Sequence, residues 1–174
     1  MAEEFTVQMK VEVRAGKEET VTLKVHPEWA PKGAQRFKDL VSQGYYDQAR
    51  WHRVIKDFIA QVGIAADPTT YKDVGMKTIE DDAVKVKNKK GTVSFAKRNE
   101  PCTRSCQIFV NLVDNFDLDK HGFAPFAEVV EGFSTIESLQ VLEVDQARLK
   151  DEGNAYLDKD FPGKLSEIKE AKIV

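Results

Sequence analysis

Arg53, Phe58, Ile59 and Gln61 lie within one short stretch, WHRVIKDFIAQVGI, residues 51–64. It brings together a cation, an aromatic ring, aliphatic side chains and an amide. A guanidinium carries five N–H donors in a fixed fork and keeps its charge at every accessible pH. An amide beside it can orient it, and the apolar residues can exclude water. Such a set suits non-covalent stabilisation of a polar transition state. Read more simply, it is a β-hairpin with a surface arginine. His52 neighbours Arg53, and alternation along a strand sends it to the opposite face, which makes it structural.

Other chemistries find less support. Three histidines (26, 52, 121) are isolated from one another, and Cys102 and Cys106 are the one close cysteine pair. Zinc sites pair their ligands at short spacing, so no metal is expected. No G-x-S-x-G elbow presents a nucleophile, and no glycine-rich phosphate loop is present. No cofactor is expected either. Cys102 and Cys106 could form a disulfide if their Cα atoms come within about 7 Å. Two free thiols are the simpler reading, and a redox role for Cys102 and Cys106 is the lesser one.

A chain of 174 residues, 41% hydrophobic and 32% charged, suits a single globular domain over 1–174 that buries about 70% of its unfolded surface. A net charge of −3 with both signs interspersed gives no reason to expect nucleic acid or an anionic membrane as partner. No apolar run is long enough to span a bilayer. The acidic, then alternating, start MAEEFTVQMK is unlike a secretory signal. The expectation is a cytoplasmic monomer.

The elements that must position these residues are mostly short strands. Phe5, Val7, Met9, Val11 and Val13 alternate with polar residues, and Val21, Leu23 and Val25 resume the pattern after Arg14–Lys17, which predicts a hairpin over 5–25. Pro31 opens a helix whose apolar stripe is Ala34, Phe37, Leu40 and Val41. Strands are predicted within 45–63, over 91–96 and 107–112, and over 123–130 with a break at Pro125. A short helix follows through Phe133, Ile136 and Leu139. Lys85–Lys90 (KVKNKK) reads as a solvated connector. The tail has Tyr156 as an anchor and ends in apolar Ile168, Ala171 and Ile173.

WHRVIKDFIAQ, GTVSFA, the Pro101–Phe109 pattern P-x-T-x-x-x-Q-x-F, Leu118-Asp119 and FAPF-x-x-VVEG together resemble the cyclophilins, in family order along most of the chain. The start and tail are similar to a bacterial and plant-type branch. The resemblance implies a mainly β fold, a closed antiparallel eight-stranded β-barrel capped by two α-helices. It also implies peptidyl-prolyl cis-trans isomerase activity on proline-containing peptides or unfolded proteins. Arg53 matches the catalytic arginine, with Phe58 and Gln61 beside it. Ile59, Ala96, Gln107, Phe109 and Leu118 match substrate-binding positions, and Phe123 falls where many members place a histidine. A proline-binding module with little turnover is the alternative.

The departures lie at the rim. Asp117 or Phe116 occupies the region where many members carry a tryptophan before Leu118. With Leu118-Asp119 setting the register it is Asp117, which lacks the indole N–H that serves cyclosporin binding in the family, so weak cyclosporin binding is expected. ADPTTYKDVGMKTIEDD replaces a glycine-rich loop. KRNE adds one residue between Ala96 and Pro101, which leaves Arg98 or Asn99 at the rim.

Overall fold

The first two strands show how the alternating pattern becomes structure. A computed structural model describes residues 2–174. In it β1 (Phe5–Arg14) pairs antiparallel with β2 (Lys17–Val25) from Phe5↔Val25 to Arg14↔Lys17. Val7, Met9, Val11 and Val13 are fully buried, as are Val21, Leu23 and Val25. Against this hairpin's sheet lies α1 (Pro31–Ser42), with Ala34, Phe37, Leu40 and Val41 inward. The helix begins at Ala30, which has no capping side chain. Asp82 does that work from 49 residues away, accepting from Gly33 N at 2.9 Å and Lys32 N at 3.2 Å. A carboxylate suits the positive end of a helix. Asp82 also pairs with the buried Arg104 at 3.1 Å. That pair explains Gly33, because a Cβ there would stand 3.0 Å from Arg104 Nη1.

Seven further strands follow: β3 (Arg53–Ile55), β4 (Ile59–Val62), β5 (Thr92–Phe95), β6 (Ile108–Asn111), β7 (Ala127–Glu131), β8 (Leu142–Glu143) and β9 (Glu167–Ile173). They make one nine-stranded antiparallel sheet in the order β8-β3-β4-β6-β5-β7-β2-β1-β9. The closed eight-stranded barrel is therefore corrected to a curled sheet whose edges, β8 and β9, do not pair. The physical reason is that β8 offers two residues only, both spent on β3. Segment 48–51 bridges part of the gap: Ile168 N donates to Ala49 O at 2.8 Å, and Trp51 N to Ser166 O at 2.9 Å. In β9 the apolar spacing of three between Ile168 and Ala171 is a bulge, since Val11↔Ile168 gives way to Lys10↔Glu170.

The two capping helices become five α-helical segments among the described residues, beside one π turn and one 3-10 helix. Besides α1 these are α2 (Pro68–Thr70), α3 (Phe133–Glu137), α4 (Gln146–Glu152) and α5 (Asn154–Asp160). No helix of the described residues is long and apolar enough to cross a membrane. Across β3–β6 strand alternation divides the side chains. Val54, Ala60, Val62, Val93, Phe95, Ile108 and Val110 join the core. Arg53, Ile59, Gln61 and Phe109 take the other face.

Candidate active site

One row of cross-strand partners organises that other face. Glu143 in β8 opposes Arg53 in β3, which opposes Gln61 in β4, which opposes Phe109 in β6. Directly opposed residues on one face of a sheet stand close enough to touch. Arg53 is held from both sides: Nε donates to Glu143 Oε2 at 3.4 Å and Nη1 to Gln61 Oε1 at 3.4 Å. Gln61 Nε2 in turn donates to Gln107 Oε1 at 2.6 Å, and His52 Nε2 lies 3.1 Å from the same oxygen. His52 is fully buried, and that burial pushes its pKa down to about 4, against the hydrogen bond to Gln107. At neutral pH it is an uncharged imidazole whose Nε2–H donates. With its carbonyl oxygen taking two donors, Gln107 is left with its NH₂ as a donor for a guest in the cleft.

The apolar part is built from two loops. Phe58 sits in the tight turn between β3 and β4, where Asp57 adopts φ +59°, a left-handed conformation that Asp tolerates better than most. The Phe58 carbonyl accepts from Leu112 N at 2.9 Å and Asn115 Nδ2 at 3.0 Å. Leu118 and Phe123 come from the segment around a 3-10 helix, Phe116–His121. Phe123 meets Phe109 edge-on, with ring centroids 5.7 Å apart.

A buried asparagine fixes that segment. Asn88 donates through its backbone N and its Nδ2 to Asp119 Oδ1, both at 2.8 Å, and through Nδ2 to Phe123 O at 2.9 Å. Its Oδ1 accepts from Ser94 Oγ at 2.8 Å and Asn111 Nδ2 at 3.1 Å. Asn88 is thus a fully buried hub inside KVKNKK, which corrects the solvated connector at this one position. Its amide ties Leu118 and Phe123 to the strands carrying Phe109 and Ser94.

All nine residues expected to act on or bind substrate (Arg53, Phe58, Ile59, Gln61, Ala96, Gln107, Phe109, Leu118 and Phe123) line a single cleft of about 590 Å³. His121 is exposed at the end of the 3-10 helix and does not line it. Cys102 and Cys106 are also outside it. They are separate free thiols, Cys102 exposed and Cys106 buried, and burial raises the Cys106 pKa. A buried, protonated thiol is a poor redox partner, so the redox reading gains nothing from their placement.

The sequence reading misses part of the lining. Tyr71, Met76 and Thr78 arrive from residues 64–90, and Gln146 and Lys150 from α4, a helix the tail's spacing does not announce. It also misses the tie from His52 to Gln107. Away from the cleft, Glu4, His26 and Glu28 offer ligand atoms within 4.8 Å of one another, a grouping invisible in the spacing of the histidines. There the imidazole already bonds Glu4 and Glu128.

The sequence and the fold that carry this cleft are similar to those of known proteins. Residues 8–157 fit the family model of the cyclophilin type peptidyl-prolyl cis-trans isomerases. The chain belongs to that family. It is 29% identical over 128 residues to peptidyl-prolyl cis-trans isomerase B of Escherichia coli, covering 69% of this chain and 77% of that one. A Schizosaccharomyces pombe peptidyl-prolyl cis-trans isomerase is 33% identical over 136 residues, covering 73% of this chain and 83% of the other. In architecture it is similar to a cyclophilin type isomerase of Cryptosporidium parvum, with TM-score 0.73 and 23% identity over 99% of this chain and 98% of that one. The same Cryptosporidium protein has been solved in the presence of the dipeptide Ala-Pro, with TM-score 0.71 and 23% identity, over 97% of this chain and 98% of that one.

Proposed function

We propose that this cleft speeds rotation about Xaa-Pro peptide bonds by non-covalent stabilisation of the twisted amide, with Arg53 as the catalytic cation. The barrier is peptide resonance, about 18–20 kcal/mol. The cis and trans ground states of Xaa-Pro differ by only about 0.5–1 kcal/mol, so the site has to favour the intermediate geometry over both. The pyrrolidine ring enters the apolar slot of Phe58, Ile59, Phe109, Leu118 and Phe123. There the bond's far side is held while the near side turns.

As resonance breaks, the prolyl nitrogen becomes pyramidal and regains a lone pair. A guanidinium N–H aimed at it then bonds more strongly than in either ground state, and only such differential interactions raise the rate. Every 1.4 kcal/mol or so gained this way is about tenfold in rate. Glu143 and Gln61 keep the fork aimed, while the free NH₂ of Gln107 is placed to hold a substrate carbonyl. No nucleophile takes part in this scheme.

The observation that carries the reading is the guanidinium of Arg53 flanked by Glu143 and Gln61, each at 3.4 Å, next to an aromatic slot. A module that merely binds proline peptides would gain little from it. The test is an NMR exchange measurement on an Ala-Pro peptide. Wild type should accelerate exchange and Arg53→Ala should not; a silent wild type, or an undiminished variant, overturns the proposal.

A further inference from the structure

The cleft is cationic although the chain is not. Its lining includes Arg53, Lys97, Arg98 and Lys150 and not one carboxylate, in a protein of net charge −3. Arg53 is paired, with Glu143 outside the lining. Lys97, Arg98 and Lys150 form no ion pair with any carboxylate of the described residues.

Their side chains are placed but not neutralised. The Lys97 ammonium stands 4.9 Å over the Phe123 ring and donates to Arg98 O at 3.3 Å. Arg98 sits on a turn stapled by Thr103, whose Oγ1 accepts from Arg98 N at 2.9 Å and donates to Glu100 O at 3.0 Å. Lys150 stands 5.8 Å over the Tyr71 ring. Of the two acids on its own helix, Glu152 is taken by Arg148 at 2.9 Å, and Asp151 forms no ion pair with Lys150. Aromatic faces hold a cation in place without cancelling its charge.

Three unpaired cations in a concave wall focus a positive potential on whatever lies in the cleft. Lys97 lies over Phe123 at the apolar slot, and Arg98 and Lys150 line the same cleft. An extended peptide advances about 3.3–3.6 Å per residue, so neighbours one to three residues from the proline pass this rim. We infer that the cleft selects prolines lying in acidic segments, with Asp or Glu within about three residues of the Xaa-Pro bond. This rests on the isomerase reading above and adds the charge of the substrate to it.

The test uses the full chain and three peptides of equal length around one Ala-Pro bond, flanked by glutamates, alanines or lysines. Exchange is followed by NMR at low salt and at high salt. The glutamate peptide should be favoured over the lysine peptide by roughly tenfold in kcat/KM, since each exposed charge contact contributes a few-fold. That ratio should shrink at high salt, and it should fall or invert in the double variant Arg98→Glu, Lys150→Glu. Equal acceleration of the three peptides at low salt, or a ratio the double variant leaves unchanged, overturns the preference and leaves the isomerase reading intact. No acceleration of any peptide overturns both.

Discussion

Arg53 and Gln61 face each other across β3 and β4, and the guanidinium reaches the amide oxygen at 3.4 Å. That is long for an N–H···O bond, so Gln61 guides Arg53 without clamping it, and the fork keeps donors free for a substrate. Arg53→Ala should lower kcat/KM by about 10²–10³-fold, the usual cost of removing one aimed donor from a transition state. Its side chain is about one-third exposed, so the melting temperature should barely move. Gln61→Ala should cost less activity, near tenfold. Exchange kinetics with a parallel thermal melt check both; a large loss of stability in Arg53→Ala would recast the residue as structural.

Asn88 makes a different kind of contribution. Removing its amide leaves Ser94 Oγ, Asn111 Nδ2 and the Phe123 carbonyl without this partner in a buried site. A buried polar group stripped of its partner costs about 1–3 kcal/mol. Asn88→Ala should therefore lose roughly 2–4 kcal/mol in urea denaturation. The loosened Leu118–Phe123 segment should raise KM more than it lowers kcat. An unchanged denaturation midpoint would contradict the hub.

His52 gives the stability a pH dependence of known sign. Burial lowers its pKa in the folded chain to about 4, whereas an unfolded histidine titrates near 6.5. Between those values the unfolded chain binds the extra proton and the folded chain does not. Stability is therefore complete above about pH 6.5 and is lost as pH falls toward 4. From pH 7 to pH 5 His52 alone should account for about 2 kcal/mol of loss. His52→Gln should lack that part of the slope, read from urea unfolding of both proteins at the two pH values. Parallel profiles would show that His52 does not titrate as its burial dictates.

Asp117 bears on inhibition. Its side chain is 95% exposed beside Leu118, and a carboxylate has no N–H to donate. Cyclosporin should inhibit the wild type weakly. Asp117→Trp, which restores an indole donor, should lower the inhibitor concentration needed by tenfold or more, measured as inhibition of Ala-Pro exchange. Strong inhibition of the wild type would contradict this.

Much of this molecule is legible in the linear chain where a period repeats. Val7 to Val13 and Val21 to Val25 announce the first hairpin, and Pro31 with Phe37 and Leu40 announces α1. The cleft residues were legible through family likeness, since no period links Arg53 to Phe123. What stayed hidden depends on long-range partners. Nothing local marks Asn88 as buried in a segment with four lysines, because Ser94, Asn111 and Asp119 decide it. Alternation makes His52 a structural residue, and it is buried outside the cleft lining; its bond to Gln107 depends on a partner 55 residues away that no local pattern shows. Lys150 reaches the rim only because α4 packs near α2, and residues 64–90 carry no repeat that would place Tyr71 in the cleft. The open edge between β8 and β9 has no sequence signal, because a two-residue strand has no pattern to read.

The seam between segment 48–51 and β9 has a consequence for the order of events in synthesis. β9 leaves the ribosome after the other eight strands, yet it supplies the partner of β1 and the carbonyl of Ile168 that receives Gln48 N, while Ser166 just ahead of it receives Trp51 N. Until then β1 offers an unpaired edge, the kind of surface that invites intermolecular strand addition. The backbone just ahead of Arg53 likewise lacks its acceptors. A nascent chain can thus hold every residue of the cleft and still lack the strand that anchors the approach to it.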